Sequence, residues 1–253
     1  MVVVGRATRL ATFAGGWAKS YEGVIRLGIT TDTDDATGAV VASAPADGVS
    51  AGQLAAALAG FRGGYLQRPP AYSAVKIAGE RAYRRARRGE LVEPAVRRVE
   101  IAELEMMDYA VPDVRFRATV SGGTYLRSLA RDIGTALGCG AHLGTLRRTA
   151  VGPLRLADAV PPDAVTPALV RDPSVLVAHL PRRDADDAER DAIVHGRPIA
   201  AGLGTRASGL GEPSTSPEPR APSPVAVFAN GILVAVADVQ GEVLKPRVVV
   251  TDA

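Results

Sequence analysis

The sequence predicts an α+β fold, and three observations support that class. Strand-like segments alternate with helix-like ones, but without the regular strand–helix–strand rhythm of a parallel sheet. Apolar residues over 126–137 recur at the spacing of one helix face. Near the C-terminus, the pair Asn230-Gly231 separates two apolar runs, which is typical of a β-hairpin.

The elements of the first part of the chain can be placed from local signals. Ser50 is a good N-cap for an Ala- and Leu-rich helix, Pro112-Asp113 marks a turn between two long strands, and Gly138 ends a helix. In chain order the sequence predicts a strand over 21–27, a loop over 30–38, a helix over 51–61, strands over 96–109 and 114–120, and a helix over 126–137.

A second unit is predicted toward the C-terminus, so that the chain forms two domains over residues 1–178 and 179–253. A helix-like stretch, 174–180, leads into it, and the hairpin over 225–239 is its clearest element. Residues 202–224 are rich in Gly, Ser and Pro, a composition that cannot pack a core, so we expect a flexible insert there.

The positive charge of this chain is concentrated in one segment. Residues 1–150 carry 20 Lys and Arg against 14 Asp and Glu, whereas the remainder is net acidic. Between Arg62 and Arg98 stand ten basic residues and three acidic ones. This is either the electrostatic footprint of a polyanion such as nucleic acid or a solvated basic helix.

Composition excludes several other classes of protein. A single cysteine cannot form an internal disulfide, and three scattered histidines have no metal-binding spacing, so we expect no metal and no cofactor. No apolar run approaches the ~20 residues that cross a bilayer, and the first residues lack a signal peptide's apolar stretch. We therefore expect a cytoplasmic, monomeric protein without a membrane partner.

Four ordered segments carry a specific resemblance. They are KSYEGVIRLG around Tyr21, QRPPAYSAVK over 67–76, GTYLRSLARDIG over 123–134 and LRRTAVG over 146–152. Together they resemble the TruB family of tRNA pseudouridine synthases, which isomerise uridine 55 of the tRNA T loop. The resemblance implies a pseudouridine synthase fold, with a mixed, mainly antiparallel sheet flanked by helices and a small β-rich domain of the PUA type at the C-terminus.

The resemblance also assigns roles in the active site. It implies that Tyr21 and Arg127 are catalytic, with Tyr21 packing on the flipped uracil and Arg127 pairing with the catalytic aspartate. Tyr125 and Leu146 are similar to further residues that contact the substrate base. The residues alone favour a core tyrosine of a sheet for Tyr21, and routine surface contacts at a helix N-terminus for Tyr125 and Arg127.

A third set of residues is expected to bind the T arm of tRNA. Residues 62–94 resemble the family's thumb, an insertion that closes on the RNA, although an exposed Pro-rich linker with a basic helix over 79–88 would look similar. The RNA-binding residues that we infer are Lys19, Gln67, Arg68, Tyr72, Lys76, Arg147 and Arg148.

The family's aspartate nucleophile lies in a Gly-Thr-Leu-Asp-Pro-like motif that precedes a GRATRL-like segment, and these 253 residues do not contain that motif. We therefore expect Arg127 to lose its main partner and the chain as printed to be inactive. One hypothesis is that Met1 is a misplaced start of a working synthase. The alternative is a catalytically inactive T-arm-binding protein or tRNA folding chaperone.

Overall fold

The structure, a computed structural model, describes residues 1–77, 79–90, 92–201 and 224–251. Two compact units make up the chain: residues 16–160 form one, and residues 1–15 together with 161–253 form the other. The sequence places the boundary between residues 178 and 179, whereas compactness places it between 160 and 161. Residues 161–180, which contain three short 3-10 helices, thus belong to the second unit.

The unit 16–160 contains ten strands, three α-helices and one short 3-10 helix (Leu156–Asp158) among the described residues. The strands are β1 (Lys19–Leu27), β2 (Ile29–Thr31), β3 (Val40–Ser43), β4 (Gly63–Gln67), β5 (Lys76–Ile77), β6 (Glu80–Arg81), β7 (Arg97–Ala110), β8 (Asp113–Val120), β9 (Ala141–Val151) and β10 (Leu154–Arg155). The helices are α1 (Ala51–Gly60), α2 (Ala82–Arg87) and α3 (Leu126–Ala136).

Six of these strands form one antiparallel sheet, in the order β10-β9-β1-β8-β7-β4. Helices α1 and α3 cover it, and their side chains Leu54 and Leu129 join Ile25 and Phe116 of the sheet in one buried core. Burial of this apolar surface is the main force that holds the helices on the sheet. The predicted α+β class is confirmed.

Local signals placed most elements of this unit correctly. Ser50 and Gln53 form a reciprocal capping box at the start of α1. Helix α3 ends before Gly138, whose φ of +76° suits glycine, and β7 and β8 meet at the predicted turn. The predicted helix over 79–88 is shorter, because the β5–β6 hairpin precedes it and α2 covers only Ala82–Arg87.

Among its described residues, the second unit contains a five-stranded sheet, in the order β11-β13-β14-β15-β12, and one α-helix. Its elements are β11 (Arg182–Asp184), α4 (Asp187–Val194), β12 (Ile199–Ala200), β13 (Val225–Ala229), β14 (Ile232–Gln240) and β15 (Val243–Val249). Positive φ angles at Asn230 and Gly231 match the predicted tight turn between β13 and β14. The predicted insert over 202–224 lies almost wholly outside the described residues.

Candidate active site

The N-terminus of helix α3 is fixed to the sheet by a buried glutamine. Gln67, at the end of β4, is fully buried, and its Oε1 accepts a hydrogen bond from the Tyr125 backbone N–H at 2.8 Å. Its Nε2 donates to the Tyr125 carbonyl at 3.1 Å and to the Tyr65 hydroxyl. The predicted RNA contact of Gln67 does not fit this burial, because both ends of its amide are already used.

Tyr125 itself stands at the edge of the sheet. The Arg97 guanidinium lies 4.9 Å from the centre of its ring, a cation–π contact, and also donates to the Gly123 carbonyl. The side chain is partly exposed. A role of Tyr125 in contacting a base stays a prediction.

Arg127, in the first turn of α3, has partners within this chain. Its Nη1 donates to Asp35 Oδ2 at 3.1 Å and to the Thr33 carbonyl at 3.3 Å, and its Nη2 donates to the Tyr72 carbonyl at 2.9 Å. Arg127 is therefore held by these partners, while its pairing with the family's nucleophilic aspartate stays a prediction. Asp35 lies between β2 and β3, in residues 31–38, which are called the 31–38 loop below. The sequence did not predict that this loop lies at the site.

Several donors hold the Asp35 carboxylate. Its Oδ1 accepts from the Thr37 backbone N–H at 2.9 Å, the Thr37 hydroxyl at 2.6 Å and the Thr33 hydroxyl at 3.2 Å. Burial alone would raise the pKa of this carboxyl, but the hydrogen bonds from Thr37 and Thr33 and the Arg127 charge outweigh burial and lower it. Asp35 is thus an ionised carboxylate that accepts four hydrogen bonds and anchors Arg127.

A second arginine follows one helical turn later. Arg131 Nη1 donates to Asp34 Oδ2 at 2.8 Å, its Nη2 donates to the Arg68 carbonyl at 2.9 Å, and its Nε donates to Asp132 Oδ1 at 3.0 Å. Burial raises the pKa of both the Asp34 and the Asp132 carboxyl, and the opposing Arg131 charge does not fully offset it. Sequence reasoning missed this cluster, since only tertiary folding brings its members together.

An open cleft of about 310 Å³ lies beside Arg127. Its lining includes Asp35, Arg127 and, from β9, Leu146, which is 43% exposed. This volume is at the lower end of the range for ligand pockets, ~300–1,000 Å³. The structure thus brings Leu146 and Arg127 to the same cleft, and their roles toward a substrate stay predictions.

Strand pairing places Tyr21 next to this cleft but largely buries it. On β1, Tyr21 and Gly23 pair with Arg148 and Leu146 of β9. Tyr21 is only 6% exposed, its hydroxyl accepts from Arg148 Nε at 3.2 Å, and the Arg148 guanidinium lies 5.3 Å from the ring centre. The ring is part of the core, so stacking on a base requires Arg148 to move.

The two neighbouring arginines of β9 lie on opposite faces of the sheet. Because side chains alternate along a strand, Arg148 shares the face of Leu146 and Tyr21, while Arg147 pairs with Glu22 on the other face. Lys19 lies on β1, two residues before Tyr21, and its Nζ donates to the Trp17 carbonyl at 2.7 Å. Burial and the nearby Arg148 charge both lower the pKa of its amine. Of the two arginines, only Arg148 stands beside the cleft.

The segment predicted as a thumb forms a small module of its own. Ala82, Ala86 and Val92 make a buried cluster against which Tyr72 and Ile77 pack. The Arg68 side chain donates to the Pro94 carbonyl at 3.2 Å and so joins the two ends of the module. Arg85 and Arg88 form ion pairs with Glu90, whereas Lys76 is exposed.

Comparisons with known proteins identify the family. The family model described as TruB family pseudouridylate synthase (N terminal domain) matches residues 1–126, and the tRNA pseudouridylate synthase B C-terminal domain matches residues 127–180. A tRNA pseudouridine synthase B from Mycobacterium sp. (strain KMS) is 44% identical over 208 residues, which are 79% of this chain and 70% of the relative. The chain belongs to the TruB family.

The aligned part does not span its relatives completely. A tRNA pseudouridine synthase B from Xanthomonas campestris pv. campestris (strain B100) is 48% identical over 162 residues, which are 64% of this chain and 53% of that protein. Among solved structures, the Cbf5-Nop10-Gar1 complex contains a chain with a TM-score of 0.66 and 22% identity, matched over 99% of this chain and 71% of that one. This last likeness shows a shared fold.

Two kinds of feature are absent from the described residues, metal-binding clusters and membrane-spanning helices. They contain no group of three or more His, Cys, Asp or Glu side chains placed to hold a metal ion. Within the same residues, no helix combines the length and apolar character needed to cross a membrane.

Proposed function

We propose that this TruB-family chain supplies the RNA-binding and substrate-positioning part of a tRNA pseudouridine synthase that acts on uridine 55 of the T loop. The observation that carries the proposal is the cleft in which Arg127, anchored by Asp35, faces the exposed Leu146 next to Tyr21. An enzyme that rearranges a base must take it out of the stack and hold it against an apolar or aromatic surface.

Arg127 retains the capacity to hold another carboxylate. Of its five N–H donors, one on Nε and one on Nη2 have no hydrogen-bond partner among the described residues. An arginine beside a carboxylate keeps it ionised and oriented. We infer that these two donors receive the family's nucleophilic aspartate, while Asp35 fixes the guanidinium from the other side.

The reaction is an isomerisation that needs no external reactant. The carboxylate attacks the flipped nucleotide, and the glycosidic C1′–N1 bond breaks. The base rotates, its C5 bonds to C1′ of the same ribose, and the carboxylate is released. The proton lost from C5 is balanced by one gained at N1. Leu146 and Tyr21 would keep the detached base inside the cleft while it rotates. The T arm of tRNA is the proposed partner, and the chain would bind it as a monomer in the cytoplasm.

A gain-of-activity experiment tests this function. The motif-bearing segment of the Mycobacterium relative is fused ahead of Gly5, and pseudouridine is measured in a T-arm hairpin RNA. We expect product from the fusion, none from its Asp→Asn variant, and none from residues 1–253, whose own Asp35 is engaged by four hydrogen bonds.

Binding measurements separate the two candidate functions. Selective binding of the T-arm hairpin with an inactive fusion would favour the non-catalytic T-arm-binding protein. Formation of pseudouridine by residues 1–253 would contradict the inference that Asp35 anchors Arg127 and does not act as the nucleophile. An open reading frame upstream of Met1 that encodes a Gly-Thr-Leu-Asp-Pro-like motif would support the synthase.

A further inference from the structure

Helix α3 binds the same two segments twice, one turn apart. Arg127 takes the carboxylate of Asp35 and the carbonyl of Tyr72. Four residues later, Arg131 takes the carboxylate of Asp34 and the carbonyl of Arg68. Because residues i and i+4 share one face of a helix, both guanidinium groups join the 31–38 loop to the first arm of the thumb module, residues 68–73.

Of the two loop carboxylates, the partner of Arg131 is less exposed to solvent than the partner of Arg127. The Asp34 side chain is 13% exposed, against 26% for Asp35. Asp34 also has a φ of +60°, and its carbonyl accepts from the Leu143 backbone N–H of β9 at 3.0 Å. Its ion pair therefore holds the loop at the sharp turn that presents the next residue, Asp35, to Arg127.

We propose that Arg131 and Asp34 are a positioning pair that locks the 31–38 loop and the first thumb arm onto α3, and thereby sets the geometry with which the module meets RNA. Neither side chain lines the cleft. The effect on RNA rests on the proposed function, whereas the locking of the two segments does not. A planar guanidinium with three separate partners cannot be replaced by a lysine without losing some of them.

Hydrogen exchange tests the locking directly. The variants are Asp34→Asn, chosen because Asn tolerates the left-handed backbone, Arg131→Met, which keeps the aliphatic stem, and the double variant. We expect the backbone of residues 31–38 and 68–73 to exchange about tenfold faster in each single variant. Relative to Arg131→Met, the double variant should add less than about twofold, since Arg131→Met already removes the ion pair that Asp34→Asn breaks.

Arg26→Met is the matched control, because the one ion pair of Arg26 within the described part of the chain is a long, exposed contact with Asp113 at 3.9 Å. It should leave exchange in both segments unchanged. Unchanged exchange in Asp34→Asn and Arg131→Met, or equal acceleration in Arg26→Met, would overturn the positioning pair.

Binding of a fluorescent T-arm hairpin over a salt series tests the consequence for RNA. Asp34→Asn removes a negative charge, so electrostatics alone predicts tighter binding, whereas loss of positioning predicts weaker binding, by about threefold or more. Arg131→Met should weaken binding with an unchanged salt slope, while a lost phosphate contact would lower the slope by about one.

The two proposals fail in different ways. Tighter binding by Asp34→Asn, or a flatter slope in Arg131→Met, would overturn the positioning role toward RNA. If the unaltered chain shows no preference for the T-arm hairpin, the proposed function fails, and hydrogen exchange still decides whether the pair locks the loop and the arm.

Discussion

The carboxylate of Asp35 is oriented by residues that are close to it in the sequence. Thr33 and Thr37 lie two positions away on either side, and both donate to its Oδ1. These two donors orient the carboxylate through contacts that are local in the chain. Arg127 then adds the tertiary partner, at a sequence separation of 92 residues.

Asp35→Asn should destabilise the protein in a pH-dependent way. The pKa of Asp35 lies below its ordinary value of 3.8, so its charge stabilises the fold above that pH, and the contribution is lost as pH falls through the lowered pKa. We expect a loss of about 1–2 kcal/mol at pH 7 that shrinks toward pH 3. Urea titrations at several pH values measure it, with the exposed Asp47→Asn as a neutral control. A loss that stays constant down to pH 3 would contradict this account.

At the scale of elements, α3 is the part of the fold on which the site depends. One face carries Leu126, Leu129 and Ile133 into the core, and the same helix directs Arg127 and Arg131 toward the loop and the thumb module. Its distance from β9 is set by Gly134. A Cβ at that position would meet the backbone of Gly140 and Ala141.

Gly134→Ala should therefore destabilise the protein although alanine is the better helix former. We expect a cost of about 1–3 kcal/mol from the clash, against a gain of up to ~1 kcal/mol in helix propensity. Gly60→Ala is the control, because Gly60 ends α1 and has no atom within 4 Å of an added Cβ. It should be neutral or slightly stabilising. Thermal unfolding compares the two, and equal effects would refute the close approach of α3 and β9.

The basic residues of the thumb module fall into two groups. Arg85 and Arg88 are held in ion pairs with Glu90, whereas Arg84 and Arg87 are exposed and contact the partly buried Tyr83. A cation without a carboxylate partner is freer to neutralise a phosphate and release a counterion.

Replacing Arg84 and Arg87 by Ala should thus weaken binding of the T-arm hairpin and lower the salt slope by about two. Replacing Arg85 and Arg88 by Ala should change the slope less and loosen the module instead. Fluorescence anisotropy across a salt series measures both double variants. Equal slopes in the two would remove the distinction between paired and exposed arginines.

At the scale of the whole molecule, each unit has its own hydrophobic core. Leu129 and Phe116 belong to the core of residues 16–160, while Val227 and Ile193 belong to the core of the other unit. The chain's single tryptophan, Trp17, lies in the unit 16–160 and serves as a fluorescent reporter of that unit.

Separate cores predict separate unfolding transitions. Leu129→Ala should cost about 2–5 kcal/mol and lower the midpoint of Trp17 fluorescence in a urea titration. Val227→Ala should leave that midpoint unchanged and shift only part of the far-ultraviolet circular dichroism signal. If both variants move both signals equally, the chain unfolds as one cooperative body.

By itself the sequence determined the features that depend on neighbours in the chain. The Asn230-Gly231 turn, the capping box of α1, the end of α3 at Gly138 and the α+β class all follow from residue types at fixed local spacing. The ordered motifs also identified the family, because each keeps a characteristic set of residues within a short segment.

Only the tertiary structure decided which of the functional candidates meet. Gln67 was expected to bind RNA and is buried under α3, and Tyr21 is largely closed off by Arg148. The pairs Arg127–Asp35 and Arg131–Asp34 join residues more than 90 positions apart. Such contacts depend on how the sheet brings the 31–38 loop against α3, and no local pattern of residues records that geometry.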